Sequence, residues 1–162
     1  YLLYVDKKTG LPNREKLNIY IGEMAGKVLP EAFTCFTLSL DNLSELTKRF
    51  GYTVGDGVLK DFAGLVQLMG DTEGMRGYNG IGRFVVFFEE CSSKKAAAMI
   101  RILDNQVEEY NSLNPEYPIR YTATWATTEE TDTYEIRELL RLSQKKWKQM
   151  EKEKKDKTEE ET

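Results

Sequence analysis

Gly80-Ile81-Gly82-Arg83-Phe84-Val85-Val86-Phe87-Phe88 sets a glycine-punctuated turn directly before an unbroken apolar run. Gly80 and Gly82 suit a tight turn, where a residue without Cβ takes a positive φ at little cost. The run that follows, within residues 83–89, has the pattern of a strand covered on both faces and therefore central in a sheet. Upstream, residues 70–82 are glycine-rich and turn-prone, so the region contributes hairpin strands.

Working outward, residues 33–40 alternate as a strand. Phe36, Leu38 and Leu40 share one face, and Cys35, Thr37 and Ser39 the other. Asn42-Leu43-Ser44-Glu45 has the form of a capping box. It opens a short helix with Leu43, Leu46 and Phe50 on its apolar side, which Gly51 ends. A second helix starts at residues 53–56 and turns Leu59, Phe62, Ala63, Val66 and Met69 inward. Nearer the N-terminus, Asn13 is placed to cap a helix running to about Gly26, with Leu17, Ile21 and Met24 on one face. Downstream, Ser93 caps a helix carrying Ile100, Leu103, Val107 and Tyr110. Residues 118–126 read as a strand, and residues 135–150 as a helix with Ile136, Leu139, Leu140 and Trp147. From Glu151 charge replaces the apolar pattern, so residues 151–162 read as a charged tail, a solvated helix end or a linker. The expected division is a linker and opening motif over 1–12, a domain over 13–150 and the tail. The expected fold is an α/β (α+β) sandwich with helices packed on a central sheet.

Composition excludes several chemistries. The 162 residues suit one domain, and hydrophobic residues make up 40%. A formal net charge of −4 argues against a nucleic-acid polymer as partner, because phosphate backbones call for surplus Lys and Arg. Histidine is absent, which removes Ser-His-Asp and Cys-His catalysis and any His-based metal site. Cys35 and Cys91 form neither a disulfide framework nor a zinc pattern and read as buried thiols. No apolar run reaches the roughly 20 residues of a membrane span, so no membrane contact by this segment is expected. The chain begins at Tyr1 rather than Met, so it is expected to be a piece of something longer; the expected location is cytoplasmic, with the cytoplasmic part of a membrane-anchored protein as one form.

Three separated motifs resemble the bacterial GGDEF family of diguanylate cyclases. Asp6-x-x-Thr9-Gly10-Leu11-Pro12-Asn13-Arg14 is similar to the family's D-x-L-T-G-L-P-N-R opening, with Lys8 in place of Leu. Gly51-x-x-x-Gly55-Asp56-x-x-Leu59-x-x-x-Ala63 resembles G-H-x-x-G-D-x-x-L-x-x-x-A, with Tyr52 where His is usual. Gly80-Ile81-Gly82-Arg83-Phe84 stands at the signature itself. The resemblance spans about residues 6–155. It implies a cyclase-like palm with a mostly antiparallel sheet. In active relatives each domain binds GTP with Mg²⁺, and two domains face one another to make cyclic di-GMP.

Carried over residue by residue, the resemblance implies a degenerate site. The first-strand metal Asp falls on Ser39, with Asp41 at the next family Asp; a two-residue deletion would instead bring Asp41 to the metal position. The hairpin metal acid falls on Gly82 and the second acid on Arg83. The guanine-contacting Asn falls on Thr47, and its Asp partner is kept as Asp56. The phosphate Lys falls on Ser44, the C-terminal triphosphate Lys on Glu151, and its Arg companion on Lys155. The inhibitory R-x-x-D falls on Asp71-x-x-Gly74. Candidate nucleotide-binding residues are therefore Asp56, Thr47, Ser44, Arg83 and Lys155, with no metal and no cofactor expected.

A triphosphate carries about four negative charges, and a unit pair at about 4 Å is worth about 4 kcal/mol at an effective dielectric of about 20. Without metal, and with Glu151 where a cation belongs, triphosphate binding is opposed. Arg83 offsets part of that charge but cannot activate a hydroxyl as a metal does. The expected role is an inactive regulatory or protein-interaction module in cyclic-dinucleotide signalling. It would act on neighbouring domains or a protein partner, with a homodimer as one form. The alternatives are a non-catalytic sensor of GTP or another purine nucleotide and, more distantly, an active cyclase using Mg²⁺.

Overall fold

The computed structural model describes residues 2–70 and 73–161; the alignment of Asp71 with the inhibitory motif falls outside them. After a short 3₁₀ turn come α1 (Arg14–Met24), β1 (Thr34–Leu40), α2 (Leu43–Phe50), α3 (Tyr52–Gln67), β2 (Met75–Gly80), β3 (Arg83–Phe88), α4 (Ser93–Leu113), β4 (Tyr121–Thr127), α5 (Thr128–Thr131) and α6 (Ile136–Glu161). The four strands form one antiparallel sheet in the order β2-β3-β1-β4. Helices cover both faces, as the fully apolar run in β3 requires.

The alternation in β1 separates two cores. Phe36, Leu38 and Leu40 pack with Leu59, Phe62 and Val66 of α3 and Met99, Leu103 and Val107 of α4. Cys35 on the other face joins Val85 and Phe87 of β3, Leu17 and Ile21 of α1, and Ile136 and Leu139 of α6. Asn13 starts α1 as its sequence position implies: its backbone is extended and its side chain accepts from the Lys16 N–H.

Several local expectations are corrected. Asn42 makes no side-chain cap on α2. It is buried, and its amide donates to Pro118 O (2.7 Å) and accepts from Arg120 N (3.2 Å). Satisfying a buried amide outweighs a helix cap that water can replace. Ser92, not Ser93, caps α4, accepting from Lys95 N. Phe50 lies at the surface and stacks edge-on against Tyr117 at 4.8 Å. β4 begins at Tyr121, and α6 continues well past Met150.

Strand β2 occupies ground whose composition reads as turn. Pairing with β3 overrides glycine's weak strand preference. Glycine is also needed here: a Cβ at Gly77 would stand 2.9 Å from Leu17 Cδ1, so its absence lets α1 lie against the sheet. Arg76 on the same strand is buried. Its guanidinium donates to Val66 O, Met69 O and Gly74 O and lies 4.9 Å from the Phe88 ring centre. It thereby adds a charged donor to carbonyls at and just beyond the end of α3, Val66 O among them already accepting from Met69 N.

Candidate functional site: the strand end beneath α6

Strand register brings Arg83, Ser39 and Thr122 side by side. Ser39 pairs with Arg83 across β1–β3 and with Thr122 across β1–β4. Above this row runs α6, whose Trp147, Glu151 and Lys154 recur at helical spacing on the face toward the sheet.

The polar atoms form one network. Trp147 Nε1 donates to Ser39 Oγ at 2.8 Å, and Ser39 Oγ donates to Asp41 Oδ1 at 2.5 Å. Thr122 Oγ1 lies 2.5 Å from Asp41 Oδ2 and 2.7 Å from Glu151 Oε1, so its one proton serves either carboxylate. Lys154 Nζ donates to Thr122 Oγ1 (2.5 Å) and Tyr121 O (3.2 Å) and stands 3.5 Å from Asp41 Oδ2. The Arg83 guanidinium lies over the Trp147 ring, 4.6 Å from its centre. Ser39, Asp41 and Arg83 are thus brought together with Glu151.

The hairpin completes this corner. Ile81 (φ +54°) and Gly82 (φ +71°) are both left-handed, the requirement of a type I′ turn. For β-branched Ile81, whose side chain stands in solvent, that conformation is strained. Gly82 O accepts from Leu40 N at 2.8 Å, and Gly82 N–H donates to the Tyr78 hydroxyl at 2.8 Å. A Cβ at Gly82 would stand 3.1 Å from Leu40 O. Burial raises the Tyr78 hydroxyl above the ordinary tyrosine range, and the Gly82 bond opposes this. Arg14 of the opening motif donates to Asn79 O and Asn79 Oδ1, pinning the hairpin from α1. Phe84 is fully buried against Phe62 and Tyr78.

The remaining candidates lie elsewhere. Asp56 sits in the second turn of α3, because that helix begins at Tyr52 rather than between residues 53 and 56. Its carboxylate, 42% exposed, pairs with Lys8 Nζ at 3.4 Å. Lys8 is the residue by which the opening motif departs from the family pattern. Thr47 turns its hydroxyl onto Leu43 O within α2 (2.9 Å), and Ser44 is exposed on the same helix. Lys155 is exposed on α6 beside a shallow groove lined by Glu151, Lys152, Lys154 and Thr158.

Sequence reasoning missed Thr122, Trp147 and Lys154 as members of the site. Helical spacing would have found the last two: carrying α6 past Met150 places Trp147, Glu151 and Lys154 on one stripe. Thr122 was not recoverable, since its place depends on the β1–β4 register.

The donor set determines what this corner can hold. Among the described residues no three carboxylates or cysteines converge into a metal-holding group. A larger groove, about 540 Å³, lies along β4 and α6 and includes Ala123, Trp125, Leu142 and Met150. Its walls are mostly hydrocarbon, with Lys145, Lys146, Gln149 and Glu153 also among the lining residues.

The family model described as "Diguanylate cyclase, GGDEF domain" matches residues 3–157. The FimX GGDEF domain from Pseudomonas aeruginosa superposes with a TM-score of 0.71 at 18% identity, covering 88% of this chain and 90% of that one. A diguanylate cyclase/phosphodiesterase from Caldicellulosiruptor saccharolyticus gives 0.66 at 20% identity, covering 86% and 82%. The Vibrio cholerae LapD S helix-GGDEF-EAL structure bound to c-di-GMP gives 0.63 at 14% identity. There 78% of this chain is covered, but only 29% of that protein. No curated protein matches the sequence. No helix among the described residues is long and apolar enough to cross a membrane.

Proposed function

The chain belongs to the GGDEF domain family, and on that premise we propose that it is a signalling domain without cyclase activity, working through contacts with neighbouring domains or a protein partner. One observation carries this reading: the oxygen donors at the strand end are already engaged by the chain's own groups. On the ungapped alignment the family's metal positions hold the Ser39 hydroxyl and glycine at position 82, and the nearby Asp41 carboxylate takes hydrogen bonds from Ser39 and Thr122 beside the Lys154 ammonium. Mg²⁺ demands hard oxygen ligands in near-octahedral geometry, usually including free carboxylates. This donor set does not fit it, so no catalytic step is assigned here. An acid at position 82 would also have to adopt a positive φ against Leu40 O.

In LapD a GGDEF domain stands in one chain with an EAL domain, and the present domain is proposed to act similarly, in the bacterial cytoplasm, as a monomer or homodimer without a cofactor. Incubation with GTP and Mg²⁺ or Mn²⁺ followed by chromatography tests the proposal. The expected result is no cyclic di-GMP; turnover well above background overturns it.

A second reading, a GTP sensor without turnover, is favoured by one feature: the paired Asp56 and Lys8 side chains remain solvent-accessible. Calorimetry separates the two. Micromolar GTP binding that Asp56→Ala removes supports the sensor, and no heat with any purine nucleotide supports the interaction module.

A further inference from the structure

Strand β4 forms one edge of the sheet, and its neighbours fix which way its backbone groups point. Leu40 turns its N–H away from β4, to Gly82 O, whereas Asp41 N donates to Arg120 O at 2.8 Å. Alternation along an antiparallel ladder then points the N–H and C=O groups of Tyr121, Ala123, Trp125 and Thr127 out of the sheet. Side chains close three of these carbonyls. Lys154 Nζ donates to Tyr121 O (3.2 Å), Lys146 Nζ to Trp125 O (2.8 Å) and Thr131 Oγ1 to Thr127 O (2.8 Å). Ala123, between the two lysines, presents both its N–H and its C=O at the open edge. Among the described residues no backbone other than that of β1 pairs with β4. The opposite edge differs, because there Tyr78 N donates to Pro12 O of the opening motif.

Beside the open edge runs the groove of about 540 Å³, with Trp125 of the strand and Leu142 and Met150 of α6 in its walls. We infer that this edge and groove dock an extended, acidic segment of a partner protein, which adds a strand beyond β4. In such strand addition the main chain supplies affinity and alternate side chains fill the adjoining groove. Charge selects the occupant. An incoming strand displaces Lys146 from Trp125 O, and an Asp or Glu on that strand gives the ammonium a new partner beside Lys145. Glu153 stands one residue before Lys154, at the Tyr121 end, so the acidic requirement falls on the Trp125 end. A second copy of this chain would bring the same lysines to the seam, and lysines on an edge deter such self-pairing. The inference rests on the reading that the domain works through protein contacts, and it names the surface and the chemistry of the partner.

The probe is a fluorescein-labelled peptide of about eight residues that alternates valine with glutamate, a typical strand length. It is added to the folded 162-residue chain and followed by fluorescence anisotropy. Saturable binding in the micromolar range is expected, at least about ten-fold weaker for a peptide alternating valine with lysine. Ala123→Pro removes the open N–H at an edge position where proline is tolerated, and is expected to abolish binding. Met150→Glu, at a side chain 38% exposed, is expected to weaken it at least about ten-fold without disturbing the fold, which circular dichroism checks. No binding of the acidic peptide overturns the inference, and so does equal binding by wild type and Met150→Glu. Sedimentation showing a wild-type dimer that Ala123→Pro dissolves would assign the edge to a second copy and overturn it too. If the peptide fails to bind and GTP yields no cyclic di-GMP, only the inference falls; if cyclic di-GMP forms while the peptide binds, the proposed function falls and the docking edge stands.

Discussion

At the scale of single residues, exposure decides what each charged group contributes. Lys154 and Asp41 are partly solvated, 49% and 22% exposed, so their pair adds well under about 1 kcal/mol to folding. Lys8–Asp56 is of the same kind. Arg76 is different: it is buried, and its guanidinium satisfies carbonyls around the end of α3. Burial lowers its pKa from the ordinary arginine value, yet it remains charged at neutral pH. Arg76→Ala removes the guanidinium's bonds to these carbonyls, Val66 O keeping that from Met69 N, and is expected to lower stability by about 2–3 kcal/mol, read from urea unfolding. Arg76→Lys should recover only part, because an ammonium cannot span the same acceptors.

At the scale of elements, α1 shows how packing sets a pH response. Tyr20 on this helix stacks against Phe87 of β3, ring centres 5.4 Å apart. Burial first, and then the neighbouring Glu89 charge, raise its hydroxyl pKa to about 12. The folded state therefore favours neutral Tyr20 more than the unfolded state does. That contribution is complete below the ordinary tyrosine value near pH 10 and is lost as pH rises from there through about 12. The melting temperature of wild type is expected to fall faster than that of Tyr20→Phe over this interval, while the two follow similar curves below pH 9. Parallel curves throughout would separate α1 docking from the titration of Tyr20.

At the scale of the whole molecule, the sheet divides two cores, and each holds one thiol: Cys35 on the α1/α6 side and Cys91 on the α3/α4 side. Both are free and buried, and burial raises both thiol pKa values above the ordinary range. At pH 8 neither is expected to react with a disulfide reagent until the domain opens, and both should then react with the same denaturant midpoint, because the cores share β1 and β3. Separate midpoints would mean that one helical layer detaches before the other.

Much of this architecture was legible along the chain. The alternation in β1, the apolar run of β3 and the helical stripes are local patterns that follow from the geometry of strand and helix themselves. The absence of acids at positions 39 and 82 needs no structure to be read. Tertiary structure decided what local pattern cannot carry. β2 forms because β3 is there to pair with it, and Asn42 abandons its cap because residues 118–120 arrive beside it. Lys154 meets Asp41 across 113 residues because the β1–β4 register and the continuation of α6 bring their oxygens and nitrogen together. Periodicity reports which face of an element is apolar; only the assembled chain fixes which distant polar atom stands opposite.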